Sequence, residues 1–272
     1  MIRVLVALVC CSLAACSMVA SPAQRRAHAD QLAQAQAWQA IRLDTAPVPL
    51  MAYVPAHAPA NEQLVIYVEG DGLAWMSPTQ PSADPTPRQP IGLQLALAQP
   101  SGNAAYLARP CQYLGAEQTA CPSAYWTEQR YAPAVVEASN QAVDLLKQRF
   151  AARDLVLVGY SGGATVAALL AARRSDVVRL ITVAGNLDPE TWATYHHLKP
   201  LTGSLNPVAF VSQLEGLPQL HLVGEQDSNV PPWLAEGFAR RFSRLPTPEV
   251  RVIQQFDHHC CWVAQWPELW TR

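Results

Sequence analysis

The feature that most constrains the fold is an apolar run that passes through a glycine-flanked serine into a run of small residues. Residues 155–158 are all apolar and predict a buried strand. The sequence Gly-Tyr-Ser-Gly-Gly follows directly, and residues 164–174, rich in alanine, predict a helix. A strand that turns this tightly into a helix leaves no room for side chains at the flanks of the turn, where Gly159 and Gly163 stand. The side chain of Ser161 is then expected to project from the apex.

Strand and helix patterns alternate along the rest of the chain. The predicted strands are 40–43, 48–54, 63–69, 104–108, 177–183, 219–223 and 250–255, and the predicted helices are 91–98, 134–150, 232–242 and 262–270. The first two strands are expected to be antiparallel at one edge of the sheet. Alternation predicts an α/β fold whose mainly parallel sheet is covered by helices on both faces. A ligand site is expected at the carboxyl ends of the strands. Five prolines between 78 and 90 predict a loop without regular structure.

Composition limits the classes of function. The 272 residues fit one large α/β domain, and half of them are apolar. Only 15% are charged, against about 25% in typical soluble domains. The formal net charge of −2 gives no electrostatic reason to expect a nucleic acid partner. We expect a monomer that acts on a small molecule.

The first residues have the pattern of a targeting segment. Arg3 supplies a positive charge, and the apolar run at 4–13 is too short to span a bilayer but fits a secretory leader. Leu-Ala-Ala-Cys16 then resembles the bacterial lipobox. This resemblance implies removal of residues 1–15, a lipid on Cys16 and, with Ser17 next, anchoring in the outer membrane facing the periplasm. An ordinary signal peptide cut at a small residue is the alternative.

The sequence therefore divides into a leader (1–15), a tether (16–37) that is in part helical, and one domain (38–272). There is no internal repeat. Within the domain, residues 189–216 predict an irregular insertion of the kind that forms a small cap above a sheet.

Four cysteines of the domain remain after the leader, and an even number in an exported chain favours disulfides. Cys111 and Cys121 bracket a short polar loop and are the favoured pair. Cys260 and Cys261 are adjacent, so a bond between them would close a small strained ring. Two buried thiols explain them equally well.

A serine hydroxyl becomes a good nucleophile only when a histidine, oriented by a carboxylate, takes its proton. Asp227 lies in a Gly-x-x-Asp-x-x-Val-Pro turn after one predicted strand, and His258 and His259 follow the last strand. Asp227 could instead cap the helix that begins near residue 232. Glu225 and Asp188 are the fallback acids.

The order Ser161, Asp227, His258 resembles the α/β-hydrolase family over residues 63–272. The resemblance implies a nucleophilic serine, an acid and a base in those positions. His258 is preferred as the base because it follows Asp257 in an Asp-His arrangement that is frequent in this fold. His259 is the alternative base.

The family also implies donors for an oxyanion. One is the amide of Gly162, and another comes from the loop Glu69-Gly-Asp71-Gly72, through Asp71 or Gly72. Lipases and esterases often carry His-Gly-Gly-Gly there, so the two acids depart from the common motif. The Asp71 side chain is expected to turn away from the oxyanion and to pair with a base such as Arg130.

These patterns predict a serine hydrolase that cleaves a carboxylic ester or related acyl bond through an acyl-enzyme, without a cofactor. A peptidase, a thioesterase and a non-catalytic binding lipoprotein on the same scaffold are the alternatives. A third class is a metal binder that uses His196, His197 and the cluster at 257–260. No spacing there resembles a zinc motif, so no metal site is predicted.

Overall fold

The computed structural model describes residues 19–58, 61–115 and 121–271. Its centre is an eight-stranded sheet with the order β1-β2-β6-β3-β7-β8-β9-β10, and β4 and β5 form a separate hairpin. The strands are β1 (Trp38–Leu43), β2 (Leu50–Pro55), β3 (Gln63–Val68), β4 (Trp75–Ser77), β5 (Gln80–Pro81), β6 (Asn103–Leu107), β7 (Asp154–Tyr160), β8 (Val177–Val183), β9 (Gln219–Gly224) and β10 (Glu249–Ile253).

The sheet is parallel from β6 to β10, and only β2 runs against its neighbours. β2 pairs antiparallel with both β1 and β6, whereas β6, β3, β7, β8, β9 and β10 pair in parallel. The predicted strands are confirmed with small shifts at their ends, as is the antiparallel edge. The carboxyl ends of β3, β7, β9 and β10 therefore lie along one edge of the sheet.

Helices cover both faces, as the alternating pattern predicts. They are α1 (Pro22–Gln34), α2 (Ile91–Leu97), α3 (Pro133–Phe150), α4 (Gly162–Ala171), α5 (Pro189–Tyr195), α6 (Val211–Leu214), α7 (Pro232–Ala239) and α8 (Trp262–Thr271). Single 3₁₀ turns occur at Ser123–Trp126 and Pro207–Phe210. In the part of the chain that the structure describes, none of the helices combines the length and the apolar character that crossing a membrane requires.

The core lies in two layers, one on each face of the sheet, because successive side chains of a buried strand point to opposite faces. In β3, Leu64 and Ile66 pack in the layer formed with α3 and α4. Val65 and Tyr67 pack in the other layer, with α2 and α8. All four are at most 3% exposed, so each contributes the burial of a whole side chain, about 1.5–3 kcal/mol.

Much of the segment predicted as a tether is a packed helix. Ala29 and Ala33 of α1 are buried, and Arg25 forms a buried ion pair with Asp84 at 3.1 Å. Asp30 accepts a hydrogen bond from the hydroxyl of Tyr53 at 2.7 Å. Residues 22–34 are thus part of the folded domain. The predicted leader and Cys16 lie outside the described residues.

Two irregular segments contain more structure than their sequences suggested. The expectation of no regular structure between 78 and 90 is wrong at its start, where Pro81 belongs to the β4–β5 hairpin. Both strands of this hairpin are exposed, and an exposed edge tolerates a residue without a backbone N–H. Residues 189–216 contain α5, a 3₁₀ turn and α6, and they lie beside the carboxyl end of β8.

Candidate active site

Ser161 occupies the turn between β7 and α4 in a backbone conformation that serine rarely adopts, with φ 50° and ψ −122°. Its N–H donates to the carbonyl of Val183 at 3.0 Å, and its own carbonyl accepts from the amide of Asn186 at 3.1 Å. These bonds to the next strand end hold the strained residue in place. A side chain at Gly159 would collide with the backbone of Ala164. The sequence-based explanation of this glycine is confirmed.

Ser161, His258 and Asp227 come together at the carboxyl edge of the sheet. His258 Nε2 lies 2.9 Å from Ser161 Oγ, and His258 Nδ1 lies 2.8 Å from Asp227 Oδ2. Asp227 is 3% and His258 8% exposed, so water competes little for either hydrogen bond. The three side chains form one continuous line in which a proton can pass from the hydroxyl to the imidazole.

Each oxygen of Asp227 has its own role in this arrangement. Oδ1 accepts from the amides of Asn229 and Val230, at 2.9 and 2.7 Å, and Oδ2 faces His258. The alternative in which Asp227 caps the next helix is wrong, since α7 begins after Pro231 without a side-chain cap. The Asp227 carboxylate therefore stabilises the turn that follows β9, rather than the start of α7.

The two fallback acids are engaged elsewhere. Asp188 caps α5 through the amide of Thr191 at 3.2 Å, and Glu225 accepts from the amide of Gln255 at 3.1 Å. The carboxylate that His258 contacts is that of Asp227, so the expected choice of Asp227 agrees with the geometry.

His259 lies beside the line rather than in it. Its Nδ1 is 3.0 Å from the hydroxyl of Tyr160, which also donates to the carbonyl of His258 at 2.9 Å. Burial and the neighbouring His258 lower the pKa of His259. The Asp257 carboxylate accepts from the amides of His259 and Cys260, at 2.7 and 2.6 Å, which fixes the turn that carries His258. Sequence reasoning had given no role to Tyr160.

Both pairs of cysteines are bonded. Cys111 is joined to Cys121, the pair favoured from the sequence. Cys260 is joined to Cys261, where the sequence left two alternatives open. The second bond lies in the exposed turn directly after His258 and His259.

Hydrogen bonds on both sides of Gly70 hold the loop after β3 in place. Glu69 Oε1 accepts from the amide of Gly70 at 2.9 Å, and the Gly70 carbonyl accepts from Gln112 Nε2 at 3.0 Å. The amides of Asp71 and Gly72 donate to no acceptor among the described residues, and the same is true of the amide of Gly162. An ideal Cβ on Gly70 would lie 3.3 Å from Ser161 Cβ, so this loop passes next to the serine. Free amides on both sides of a serine are what an oxyanion site needs.

The carboxylate of Asp71 is neutralised by two guanidinium groups. Arg130 Nη1 lies 2.8 Å and Arg109 Nη1 3.0 Å from its two oxygens, and the Tyr131 hydroxyl donates to it at 3.0 Å. Although burial acts to raise it, Arg130 and Arg109 hold the pKa of Asp71 below its usual range. The sequence predicted the pairing with Arg130 but missed Arg109 and Tyr131. Of this cluster, the Asp71 carboxylate and the Tyr131 hydroxyl lie against the Cα of Gly162.

Glu69 is buried behind the same loop, at 1% exposure. Besides Gly70, it accepts from the amide of Gly92 at 3.2 Å and from the hydroxyl of Tyr106 at 3.1 Å. Burial raises the pKa of this carboxyl to about 7 in spite of these donors. The side chain links the loop to the start of α2.

A pocket of about 550 Å³ opens over Ser161. Its apolar wall includes Leu73, Trp75, Trp192 and Val230. The Trp192 indole donates to the carbonyl of Asn229 at 2.8 Å, which ties α5 to the turn of Asp227. The insertion at 189–216 therefore contributes a wall of the pocket.

His196 and His197, which the sequence analysis considered as metal ligands, lie outside the Ser161–His258–Asp227 arrangement. His196 Nε2 lies 2.7 Å from the carbonyl of Asn229, and His197 is exposed. Within residues 19–58, 61–115 and 121–271, no group of three or more His, Cys, Asp or Glu is arranged to hold a metal ion.

No protein-family model matches the chain, and no curated protein matches it in sequence. The structure is similar to Est1E from Butyrivibrio proteoclasticus, with a TM-score of 0.58 and 16% identity over 85% of this chain and 97% of that one. The fold is that of the α/β-hydrolases. The fold class and the resemblance to the α/β-hydrolases inferred from the sequence are thereby confirmed.

Other solved structures with this α/β-hydrolase fold are similar to the same extent. The Pyrococcus furiosus esterase Pf2001 has a TM-score of 0.58 and 14% identity, over 86% of this chain and 88% of that one. A puromycin-hydrolyzing peptidase from Mycobacterium tuberculosis has a TM-score of 0.58 and 16% identity. It is matched over 85% of this chain and 37% of its own. Esterases and serine hydrolases thus share the architecture at low sequence identity.

Proposed function

We propose that this protein is a serine hydrolase that cleaves a carboxylic ester or a related acyl bond. The observation that carries the proposal is the line Ser161 Oγ–His258 Nε2, His258 Nδ1–Asp227 Oδ2, with distances of 2.9 and 2.8 Å. A buried histidine between a serine and a carboxylate is the arrangement that activates a hydroxyl for attack on a carbonyl.

In the proposed reaction, Ser161 Oγ attacks the carbonyl carbon while His258 Nε2 takes the hydroxyl proton. Asp227 accepts the Nδ1 proton, holds the ring in the required tautomer and stabilises the imidazolium that forms. The tetrahedral intermediate collapses when His258 donates its proton to the leaving group. Water, activated by the same histidine, then hydrolyses the acyl-enzyme, so no cofactor is needed.

The developing negative charge is stabilised by the amide of Gly162 together with that of Asp71 or Gly72. Removal of one such donor typically costs about 10²–10³ in turnover. The Asp71 carboxylate lies against Gly162, and its ion pairs with Arg109 and Arg130 neutralise the negative charge that would otherwise oppose the oxyanion. The side chain of Asp71 is thereby compatible with catalysis.

The test is turnover of short p-nitrophenyl esters. The wild type is expected to hydrolyse them, and Ser161→Ala should lose at least about 10³-fold in kcat, as in other triads. Ser101→Ala is the matched control because Ser101 is exposed at the opposite edge of the sheet. Equal turnover of Ser161→Ala and the wild type would contradict the proposed nucleophile.

A peptidase or a thioesterase would use the same residues. The neighbouring puromycin-hydrolyzing peptidase keeps the peptidase candidate open. A panel of p-nitrophenyl esters, aminoacyl p-nitroanilides and acyl thioesters at equal concentration separates the three, and the ester series is expected to give the highest kcat/KM. A non-catalytic binding protein would turn over none of them.

We further propose that the mature chain begins at a lipidated Cys16 and is held in the bacterial outer membrane, facing the periplasm, as a monomer. The lipobox-like sequence before Cys16 supports the lipid anchor. Metabolic labelling with an alkyne fatty acid should tag the wild type and not Cys16→Ser. Equal labelling of both would refute the anchor.

A further inference from the structure

The charged side chains that line the pocket differ in what already binds them. Glu69 accepts hydrogen bonds on both of its oxygens, and Asp71 forms ion pairs with Arg109 and Arg130. Arg88 also lines the pocket, but its guanidinium makes no hydrogen bond or ion pair with another residue in the described part of the chain. Among Glu69, Asp71 and Arg88, it is the one whose charge no other described side chain binds.

The backbone around Arg88 is held firmly. Pro87 precedes it and is buried, which limits the chain at that point. The amide of Thr86 donates to Asp84 at 2.7 Å, and the hydroxyl of Thr86 accepts from the amide of Tyr113 at 2.8 Å. A charge on a fixed segment loses less entropy when it binds than one on a mobile loop.

The surroundings of Arg88 favour an anion as its partner. A guanidinium offers a planar fork of donors that matches a carboxylate or phosphate. Trp75 and Trp192 line the same pocket and offer apolar surface but no negative charge. Since the pocket acids Glu69 and Asp71 already have their own partners, an anionic group of a ligand meets no competing carboxylate at Arg88.

We propose that Arg88 binds an anionic group of the substrate, so that the preferred substrates are acyl compounds with a carboxylate or similar anion near the scissile bond. The inference rests on the proposed hydrolase function of Ser161. It makes Arg88 a residue that determines specificity through direct contact with the substrate. The anion belongs either to the acyl part or to the leaving alcohol, and the test separates these sources.

The test compares matched pairs of esters. p-Nitrophenyl hydrogen adipate and p-nitrophenyl hexanoate differ only by a carboxylate at the acyl end. m-Carboxyphenyl butyrate and phenyl butyrate differ by a carboxylate on the leaving group. The measured quantity is the ratio of kcat/KM for the anionic ester to that for its neutral match.

The wild type should prefer the anionic member of at least one pair by about 10-fold or more, the effect of a hydrogen bond to a charged group. Added salt should reduce this preference because Arg88 is exposed. Arg88→Met should bring the ratio close to one, Arg88→Glu should invert it, and Arg88→Lys should keep part of it. Arg173→Met is the matched control, an exposed arginine beyond the far end of α4, and should keep the wild-type ratio.

A ratio near one for both pairs in the wild type, or an unchanged ratio in Arg88→Met, would overturn the inference while leaving the hydrolase proposal intact. Loss of the hydrolase proposal is recognised separately, when Ser161→Ala and the wild type are equal on the neutral esters. Calorimetry tests, without turnover, whether Arg88 contributes to binding of the anionic ester. Binding of p-nitrophenyl hydrogen adipate to Ser161→Ala should weaken about 10-fold on adding Arg88→Met, and equal binding would again overturn the inference.

Discussion

The replacement of Glu69 by glutamine should change how stability depends on pH. Burial raises the pKa of this carboxyl from 4.5 to about 7. Below pH 4.5 the group is protonated in both the folded and the unfolded chain and contributes no pH dependence. Between pH 4.5 and 7 the unfolded chain releases the proton and the folded protein keeps it. The free energy of unfolding therefore falls as pH rises through this window, and becomes constant above it.

The size of the effect follows from the pKa difference. One pKa unit corresponds to 1.36 kcal/mol, so the loss across the window is about 3 kcal/mol. Glutamine stays neutral at every pH, and its oxygen can still accept from the amides of Gly70 and Gly92, as Glu69 does. Relative to the wild type, Glu69→Gln should gain about 3 kcal/mol between pH 4.5 and 7.

The assay is urea unfolding of both proteins at closely spaced pH values, with the difference between them as the observable. The difference is needed because His221 titrates in an overlapping window with the opposite sign. Burial lowers the pKa of His221 to about 3, so its contribution to the free energy of unfolding is lost as pH falls below 6.5. This contribution is common to both proteins and cancels. A difference that stays flat from pH 4.5 to 7 would refute the reasoning.

Other predictions concern the site and its supports. His258→Ala should lower kcat for ester hydrolysis by at least about 10³-fold, and His259→Phe by less than about 10-fold, since only the first ring contacts the serine; equal losses would contradict the choice of base. The double variant Cys111→Ser/Cys121→Ser should lose about 2–3 kcal/mol in urea unfolding, because a short closed loop is opened; an unchanged midpoint would contradict this. Asp71→Asn should lower the free energy of unfolding by about 3 kcal/mol and reduce turnover, because two guanidinium groups lose their counter-charge. An unchanged free energy of unfolding and unchanged turnover would show that Asp71 does not support the loop beside Ser161.

The fold and the candidate site could be anticipated largely because their signals are local. Ser161, Asp227 and His258 each follow a strand that its own apolar residues mark, and parallel strands bring their carboxyl ends to one edge. The flanking glycines, Gly159 and Gly163, predict the tight turn at Ser161. The three residues can be far apart in sequence and still meet, because the sheet fixes where each strand ends.

The supports of the site could not be anticipated in the same way. Arg109 stands 38 residues from Asp71 in sequence, and their contact depends on how the loop after β6 returns to the sheet. The raised pKa of Glu69 arises from burial under α2, which no residue near Glu69 indicates. The bond between Cys260 and Cys261 was one of two open alternatives, since adjacency alone does not decide their state.

The most direct test of the central claim is mass spectrometry of the intact protein and its peptides after treatment with a fluorophosphonate. We expect one adduct per chain, located on Ser161, with labelling slowed strongly in His258→Ala because the hydroxyl loses its base. Absence of an adduct on Ser161 in folded protein treated with the fluorophosphonate, or equal labelling rates in the wild type and His258→Ala, would contradict the account.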